Sequence, residues 1–358
     1  KVFLPFADAA SDEMPLLRLI QLSLFQVSVG IGVVLLVGTL NRIMIVELGV
    51  SASVVAIMVG LPLLVAPFRA FIGFRSDTYK SVLGWRRVPF IWVGSILQFG
   101  GLSIMPFALI LLSGDTHWPL WVGPISAGLA FLLVGVGIQT TQTAGLALAT
   151  DLSPEKNKPR VVALMYTMLL LGMVFSSVFL SFFLEPFSQF RLIQVIQATA
   201  LLCLFLNLIA LWKQEPRNPE LTSFRKITPS FWDCWNKFTK THKTKRFLLA
   251  LGVGTAAFSM QDVILEPYGG EILNLTVSQT TILTAYSTIG SIMSFAVAAW
   301  LLKLKVNPFR IAGLGAVIGI FAFSFIVLSE PISSIVMFKA GVFLIGCGAG
   351  FFSVSCLI

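Results

Sequence analysis

Ionisable and amide side chains interrupt an apolar stretch near residue 265. They are followed by a proline and a tyrosine, and the set comprises Gln261, Asp262, Glu266, Pro267 and Tyr268. Ionisable groups inside a bilayer are costly and normally face a bundle interior, a cavity or a partner. Proline should break or kink the helix and free backbone carbonyls to which a polar ligand can bind. We therefore expect a protein-enclosed kink here, and this segment is the first candidate binding site.

A second interpretation of this segment stays open. If the helix ends near Leu265, the carboxylates of Glu266 and Glu271 lie in water at the far face of the membrane. Asp262 follows Arg246 by about 16 residues, or about 24 Å of helix. That distance places Asp262 inside or near the edge of a hydrocarbon layer about 30 Å thick.

Two further sets of polar residues fall within apolar stretches. Gln139 and Gln142 lie among threonines in the middle of the fourth stretch, where they either line a cavity or tie helices together. Lys339 lies in the tenth stretch. It either extends to the far interface or pairs with an acidic group such as Asp262 or Glu266.

The elements that must position these groups are apolar helices of membrane-spanning length. The chain is 56% hydrophobic and 11% charged, a composition that a soluble core of this size cannot bury. Continuous rather than alternating apolar runs favour helices over barrel strands. Spans are predicted near residues 16–40, 51–73, 88–113, 120–149, 160–184, 191–212, 247–268, 277–302, 309–329 and 332–358.

The spans predict an all-α polytopic membrane protein in two halves. Residues 1–212 form a six-helix half, 213–246 a polar linker, and 247–358 a second half with four helices. The chain begins with Lys1 and ends at Ile358 within apolar sequence. We therefore expect a fragment of a protein with twelve spans in a major facilitator-like bundle.

Basic residues predict the orientation of the chain. All but three of its 25 Lys and Arg residues lie on the side of the N-terminus, the exceptions being Arg42, Arg191 and Lys339. Lys and Arg concentrate in cytoplasmic loops, so the N-terminus and the linker are expected to be cytoplasmic. The net charge of +9 then indicates topology and contact with anionic lipid, not nucleic-acid binding.

The loop between spans two and three, GFRSDTYKSVLGWRR at residues 73–87, resembles the signature loop of the major facilitator superfamily. The glycine permits close helix approach, the aspartate can face a helix N-terminus or an arginine from the other half, and the arginines fix the cytoplasmic end. A plain basic cytoplasmic loop is the alternative. The signature residues are Gly73, Asp77, Gly84, Trp85, Arg86 and Arg87.

Two further cytoplasmic segments carry charge. Asp151 and Arg160 bracket the turn between spans four and five and are predicted to form a structural pair. In residues 230–247, Phe231, Trp232 and Trp235 recur at helical spacing beside several lysines. That pattern predicts an amphipathic helix on anionic headgroups, and partner docking is an alternative role.

Longer blocks resemble one family within that superfamily. Similarity to the PucC/LhaA family is seen in the runs APFRAFIGFRSDTYKSVLGWRRVPFIW, LQFGGLSIMPFALILLSG and MQDVILEPYGGEILNLTVSQTTILTA. This family is the bacteriochlorophyll-delivery branch of the major facilitator superfamily in photosynthetic purple bacteria. The resemblance implies a factor for light-harvesting complex assembly, serving LH1 or LH2, in the inner or intracytoplasmic membrane. Its implied partners are antenna subunits, the reaction centre-LH1 complex and lipids.

If bacteriochlorophyll is the cargo, its magnesium needs an axial ligand. The two histidines, His117 and His242, lie in or beside loops, so we expect transient binding through oxygen donors, which suit this hard cation. The four cysteines show no metal-ligand spacing. No phosphate-binding or nucleophile motif indicates an enzyme. A proton-coupled transporter of a small solute, using Asp262 or Glu266, is the alternative function.

Overall fold

Helices of membrane-spanning length dominate the computed structural model of the chain. The structure describes residues 9, 14–114, 117–220, 222, 230–240 and 242–356. Within them, ten helical spans are long and apolar enough to cross a bilayer, so the protein is a multi-pass membrane protein. All ten predicted spans are confirmed, at Leu16–Glu47, Ala52–Asp77, Val88–Leu112, Val122–Asp151, Glu155–Phe183, Gln189–Leu211, Thr244–Glu271, Val277–Lys303, Pro308–Ser329 and Ile335–Ser355.

Twelve α-helices build these spans and the linker. A short 3-10 turn, Ala66–Phe68, joins α2 to α3 within the second span. The helices are α1 (Leu16–Val33), α2 (Ala52–Val65), α3 (Arg69–Asp77), α4 (Val88–Leu112), α5 (Val122–Asp151), α6 (Lys158–Phe183), α7 (Gln189–Leu211), α8 (Phe231–Thr239), α9 (His242–Glu271), α10 (Val277–Lys303), α11 (Pro308–Ser329) and α12 (Ile335–Cys356).

The first span is longer than predicted. After α1 it continues through two π-helical segments, Val34–Leu40 and Ile43–Glu47, instead of ending near residue 40. Asn41 and Arg42 remain inside it because their side chains donate hydrogen bonds to backbone carbonyls elsewhere in the chain. Polar residues that find internal partners need not end a membrane helix.

Helix α9 continues through Pro267 to Glu271. The prediction that Pro267 breaks the helix is wrong, and so is the alternative that the helix ends near Leu265. Proline removes only one backbone donor. The chain leaves the helix after Glu271, where the amide of Leu275 donates to the carbonyl of Gly269 at 3.0 Å.

Two compact units divide the chain. Unit 1 comprises Lys1–Val33, Val50–Gly172 and Ser188–Lys237, and unit 2 comprises Val34–Gly49, Met173–Phe187 and Phe238–Ile358. The units therefore do not follow the predicted division at the linker. The outer ends of spans one and five join unit 2 through contacts such as that of Thr39 with Thr281 and that of Ser181 with Ser278.

Each unit has its own apolar core. In unit 1, side chains from α1, α4, α5, α6 and α7 bury one another, including Leu19, Phe25, Ile91, Leu148 and Met165. In unit 2, a smaller core links α9, α10 and α12 through Leu265, Leu283, Phe338 and Val342. These cores fix the helices that carry the polar groups described below.

Glycines allow α4 and α5 to pack with their backbones in contact. A Cβ atom on Gly137 would lie 2.6 Å from the carbonyl oxygen of Gly94, and one on Gly101 would lie 2.8 Å from the amide nitrogen of Val134. Real Cβ atoms do not approach backbone so closely. Small residues at such contacts permit the van der Waals packing that joins helices in lipid.

We expect Gly137→Ala to separate α4 from α5 and to destabilise the protein by about 1–3 kcal/mol. Thermal unfolding of purified protein in detergent measures this effect. Gly100→Ala is the matched control on α4, because a Cβ atom there meets open space, and it should leave the melting temperature unchanged or raise it. Equal melting temperatures for the two variants would contradict the role of Gly137.

Candidate functional site

Arg87 lies at the centre of the signature loop. Its guanidinium is buried and forms an ion pair with Asp77. It also donates to Oδ2 of Asp151 at 3.0 Å and to Oγ of Ser76 at 2.6 Å. One cation thus joins the end of α3, the start of α4 and the end of α5.

The start of α4 is held by the carboxylate of Glu215 in the linker. Its two oxygens accept hydrogen bonds from the amides of Arg86 at 2.9 Å, Arg87 at 3.0 Å and Val88 at 2.8 Å. The first N–H groups of a helix lack intrahelical partners and carry partial positive charge. A carboxylate that accepts two of them, from Arg87 and Val88, and also the preceding amide of Arg86 is therefore an effective N-terminal cap for this long helix.

The first residues of the linker make further contacts with other parts of unit 1. The guanidinium of Arg18 donates to the carbonyls of Lys213 at 3.1 Å and Gln214 at 2.8 Å. The guanidinium of Arg217 lies 4.8 Å from the ring centroid of Trp85, within range of a cation–π interaction. The start of the linker is therefore attached both to α1 and to the signature loop.

Gly84 lies where the two segments come closest. Its φ of +77° favours glycine, and its carbonyl accepts a hydrogen bond from the amide of Asn218 at 3.0 Å. A Cβ atom on Gly84 would lie 3.0 Å from that same amide nitrogen. The signature residue Gly84 thus serves a close approach between loop and linker.

The structure brings most of the predicted loop residues together. Asp77 faces an arginine of its own loop. Gly73 makes only an ordinary contact, because a Cβ atom there would lie 3.6 Å from the Thr143 side chain. The carboxylate of Asp151, which the sequence analysis pairs with Arg160, forms ion pairs with Arg87 and, at 2.7 Å, with Arg86.

A polar layer lies inside unit 1, formed by side chains of α1, α4, α5 and α7. The amide of Gln142 donates to Oε1 of Gln26 at 3.4 Å. The amide of Gln98 donates to the carbonyl of Ser28 at 3.2 Å. We call this set the polar layer, and it consists of Gln26, Ser28, Gln98, Thr141, Gln142, Cys203 and Asn207.

Several atoms of the polar layer lack hydrogen-bond partners among the described residues. They are Nε2 of Gln26, Oγ1 of Thr141 and both amide atoms of Asn207. Unpaired buried polar atoms are costly. Gln142 therefore belongs to a cluster that links helices and still has unused hydrogen-bonding atoms. Half-buried Gln139 lies outside this cluster, and its backbone carbonyl accepts a hydrogen bond from the hydroxyl of Thr143.

In unit 2 the carboxyl group of Glu266 is enclosed. The residue is 2% exposed, and its Oε1 accepts a hydrogen bond from Oγ1 of Thr284 at 2.7 Å. Its Oε2 has no partner among the described residues. A Cβ atom on Gly38 would lie 3.0 Å from Cδ of Glu266, so the absence of a side chain at Gly38 makes room for the carboxyl group.

Arg42 lies one turn beyond Gly38 in the same span. Its guanidinium forms an ion pair with Glu47 and donates to the carbonyl of Leu275 at 3.1 Å, while its Nε has no partner in the described structure. Neighbouring Asn41 donates to the carbonyl of Val263 at 2.6 Å. Unit 2 therefore holds a buried cation and a buried carboxyl group, each with an unused hydrogen-bonding atom.

The other candidates on α9 and α12 are placed differently from expectation. Asp262 is exposed and bonded to Gln261, so the prediction that it is enclosed is wrong. Tyr268 packs on Phe338, with ring centroids 5.8 Å apart.

Lys339 has an aromatic neighbour instead of an acidic one. Its Nζ lies 5.9 Å from the ring centroid of Tyr286, and no ion pair within the described residues joins it to Asp262 or Glu266. The hypothesis of a Lys339 ion pair is therefore wrong. The tyrosine face instead offers its ammonium group a weak cation–π contact.

Sequence reasoning missed Glu215, Arg42, Gln26 and Asn207. Glu215 carried a weak signal, since it is an acid directly after a span in a mostly basic linker. Arg42 carried a second weak signal, because it is an arginine between apolar runs on the face of the membrane that has few basic residues. Their partners are distant in sequence, so spacing alone could not identify these contacts.

We expect Glu215→Ala to destabilise unit 1 by about 1–2 kcal/mol, because the amides that start α4 lose their cap. Thermal unfolding and trypsin cleavage after Arg86 and Arg87 both measure this change. Glu220→Ala removes the same charge from an exposed position five residues away and is the control. Equal stability and cleavage rates in the two variants would exclude the capping role.

Comparison with known proteins identifies the relatives of this chain. A family described as PUCC protein matches residues 39–358. Protein PucC of Cereibacter sphaeroides is 52% identical over 354 residues, which are 98% of this chain and 77% of that protein. The bacteriochlorophyll synthase 44.5 kDa chain of Rhodobacter capsulatus is 26% identical over 301 residues, covering 82% of this chain and 67% of that protein.

Among solved structures, the chain is similar to a mutant of the nucleoside transporter NupG. The TM-score is 0.68 at 16% sequence identity, over 95% of this chain and 81% of that one. This likeness shows the fold alone, a major facilitator-like helical bundle. The sequence matches show that the chain belongs to the PUCC protein family.

Proposed function

We propose that the protein is a non-enzymatic assembly factor for photosynthetic light-harvesting complexes, LH1 or LH2. The observation that carries the proposal is membership of the PUCC family over residues 39–358, which supports a photosynthesis-related role. The factor would bind antenna polypeptides laterally and pass bacteriochlorophyll to them. It would act in the inner or intracytoplasmic membrane, with its N-terminus in the cytoplasm.

The outward face of span two supports lateral binding. Large apolar side chains are exposed along α2, among them Ile57, Leu63 and Leu64, and few residues of the span are buried. Lipid covers such a face in the absence of a partner, and an apolar antenna helix can replace lipid there at little cost in solvation.

The signature loop offers a second surface for a partner. Its tip exposes Val82 and Leu83, which are 86% and 59% accessible. The tip is fixed on both sides, because Thr222 donates to the carbonyl of Ser81 at 2.7 Å and Asn218 donates to that of Gly84. A rigid exposed apolar pair is suited to contact with another protein or with the membrane surface.

The polar layer does not fit a bacteriochlorophyll macrocycle. Every member is at least nine-tenths buried among packed helices, which leaves no face for a flat ring. His117 lies in an exposed loop and His242 begins α9, ahead of the span that starts at Thr244. We propose that the pigment, as cargo, binds transiently to oxygen donors outside this layer.

Copurification under mild detergent tests the proposal. The tagged protein is isolated from photosynthetically grown cells, and the eluate is examined for antenna polypeptides and far-red pigment absorbance. Both should elute with it, whereas a tagged NupG-like transporter purified in parallel should retain neither. Absence of antenna polypeptides from the eluate would overturn the assembly role.

A second candidate function is proton-coupled transport of a small solute. The observation that favours it is the enclosed carboxyl group of Glu266, with one unpaired oxygen, beside Arg42, since such groups often mark proton pathways. Proton-driven uptake into liposomes that is abolished by Asp262→Asn or Glu266→Gln would support transport. Full uptake in both variants would exclude a role of these carboxyl groups in proton coupling.

We expect Trp85→Ala and Arg86→Ala to lower the amount of assembled antenna several-fold without changing membrane insertion. Trp85 contacts Arg217 of the linker, and the exposed pair of Arg86 with Asp151 contributes only about 0–1 kcal/mol to stability. Loss of function would therefore reflect the altered loop surface. Antenna absorbance and immunoblots of membranes measure the two quantities.

The controls for these variants change similar groups elsewhere. Trp118→Ala removes an exposed tryptophan from the loop between α4 and α5. Lys158→Ala removes another exposed ion pair, that with Glu155. Normal antenna levels in Trp85→Ala and Arg86→Ala, or an equal loss in the controls, would show that the signature loop has no specific part in assembly.

A further inference from the structure

The linker helix α8 is attached to the end of span two. The ring of Phe231 meets those of Phe71 and Phe74 edge to face, with centroids 5.7 Å and 5.4 Å apart. It also lies nearly parallel to the indole of Trp235, at 6.2 Å. Aromatic pairs of this geometry stabilise a contact beyond the area they bury, so Phe231 anchors the first turn of α8.

This anchor sets the depth of α8 relative to the membrane. Phe71 and Phe74 belong to the last two turns of a span that ends at Asp77. The first turn of α8 is therefore held at the level where span two leaves the hydrocarbon.

The side chains of α8 separate into two faces. At 100° per residue, Phe231, Trp232, Trp235 and Phe238 fall within an arc of about 120°, while Asp233, Asn236 and Lys237 lie outside it. Trp232 is 67% exposed. Indole rings of tryptophan favour the zone between headgroups and acyl chains, so this face matches a bilayer surface.

Two exposed cations flank the aromatic residues within unit 1. Arg75 follows directly after Phe74, and Lys237 lies on the polar face of α8. Neither forms an ion pair with any residue in the described part of unit 1. Exposed Phe68 and Phe71 precede Arg75 at helical spacing along span two, an arrangement that suits acyl chains beside phosphate groups.

We propose that α8 and the end of α3 form a surface that binds anionic phospholipid, with headgroup phosphates at Arg75 and Lys237 and acyl chains along Phe68 and Phe71. Charge complementarity selects this occupant: the chain from 230 to 246 carries five basic residues and one acidic residue. Basic segments at the cytoplasmic membrane surface attract anionic lipid. The proposal is independent of the antenna role.

Cys234 allows a local test, because it is a free, exposed thiol on α8. A fluorophore is attached there in protein with Cys347→Ala and Cys356→Ala, while the buried thiol of Cys203 is left in place. The labelled protein is reconstituted into bilayers that contain either dibrominated phosphatidylglycerol or dibrominated phosphatidylcholine. Quenching by each bromolipid then measures the local lipid composition at α8.

We expect stronger quenching by the brominated phosphatidylglycerol. Arg75→Gln and Lys237→Gln should each reduce the local preference for this lipid about fivefold, and added salt should reduce it as well. The matched control, Lys156→Gln, removes one exposed charge of unit 1 from outside this surface and should retain the preference. Gel filtration before reconstitution confirms that each variant is folded.

Two outcomes would overturn the proposal. Equal quenching by the two bromolipids, or an equal loss of preference in the control variant, would show that Arg75 and Lys237 do not select anionic lipid. Absence of quenching by either lipid would show that α8 faces water or a protein partner, and the lipid surface would then be excluded.

Discussion

The hydrogen bonds of Glu215 to the start of α4 hold together the end of unit 1 that carries the signature loop. Three amides that no helix can satisfy internally point at one carboxylate. The same turn presents Arg86 and Arg87 to Asp151. Because the amides and the arginines are adjacent in sequence, the orientation of the whole signature loop depends on how α4 begins. A linker that only connected two halves would have no such constraint.

In the apolar interior, by contrast, some polar atoms are left without hydrogen-bond partners among the described residues. In hydrocarbon a polar group needs an internal partner, yet Gln26, Thr141 and Asn207 of the polar layer and Glu266 in unit 2 each have at least one atom without a hydrogen-bond partner in the part of the chain that the structure describes. Unit 1 compensates through glycines, since Gly94, Gly101 and Gly137 allow backbones to touch and gain dispersion contacts. The close glycine contacts that stabilise unit 1 and the polar atoms without hydrogen-bond partners therefore lie at different positions along its helices.

The ten spans could be predicted from the sequence, because apolar length is a local property. The signature loop could be recognised as well, but the partner of Asp77 could not, since Arg87 of the same loop pairs with it instead of an arginine from the other half. The end of span one could not be predicted, since Arg42 stays in the helix only because the carbonyl of Leu275 accepts its hydrogen bond. The ion pairs of Asp151 with Arg86 and Arg87 were missed for a related reason. Its bracketing position suggested Arg160, whereas Arg86 and Arg87 come from a different loop.

These contacts also bear on where a partner can act. Ties from Arg18, Gly84 and Thr222 keep the signature loop in one position relative to the helices of unit 1. The exposed apolar side chains at its tip therefore stay in contact with solvent, which costs free energy in water. Contact with membrane or protein recovers that free energy without ordering a flexible segment. For the proposed function, a fixed apolar tip thus favours recognition at the end of unit 1 that carries the signature loop over recognition inside the polar layer.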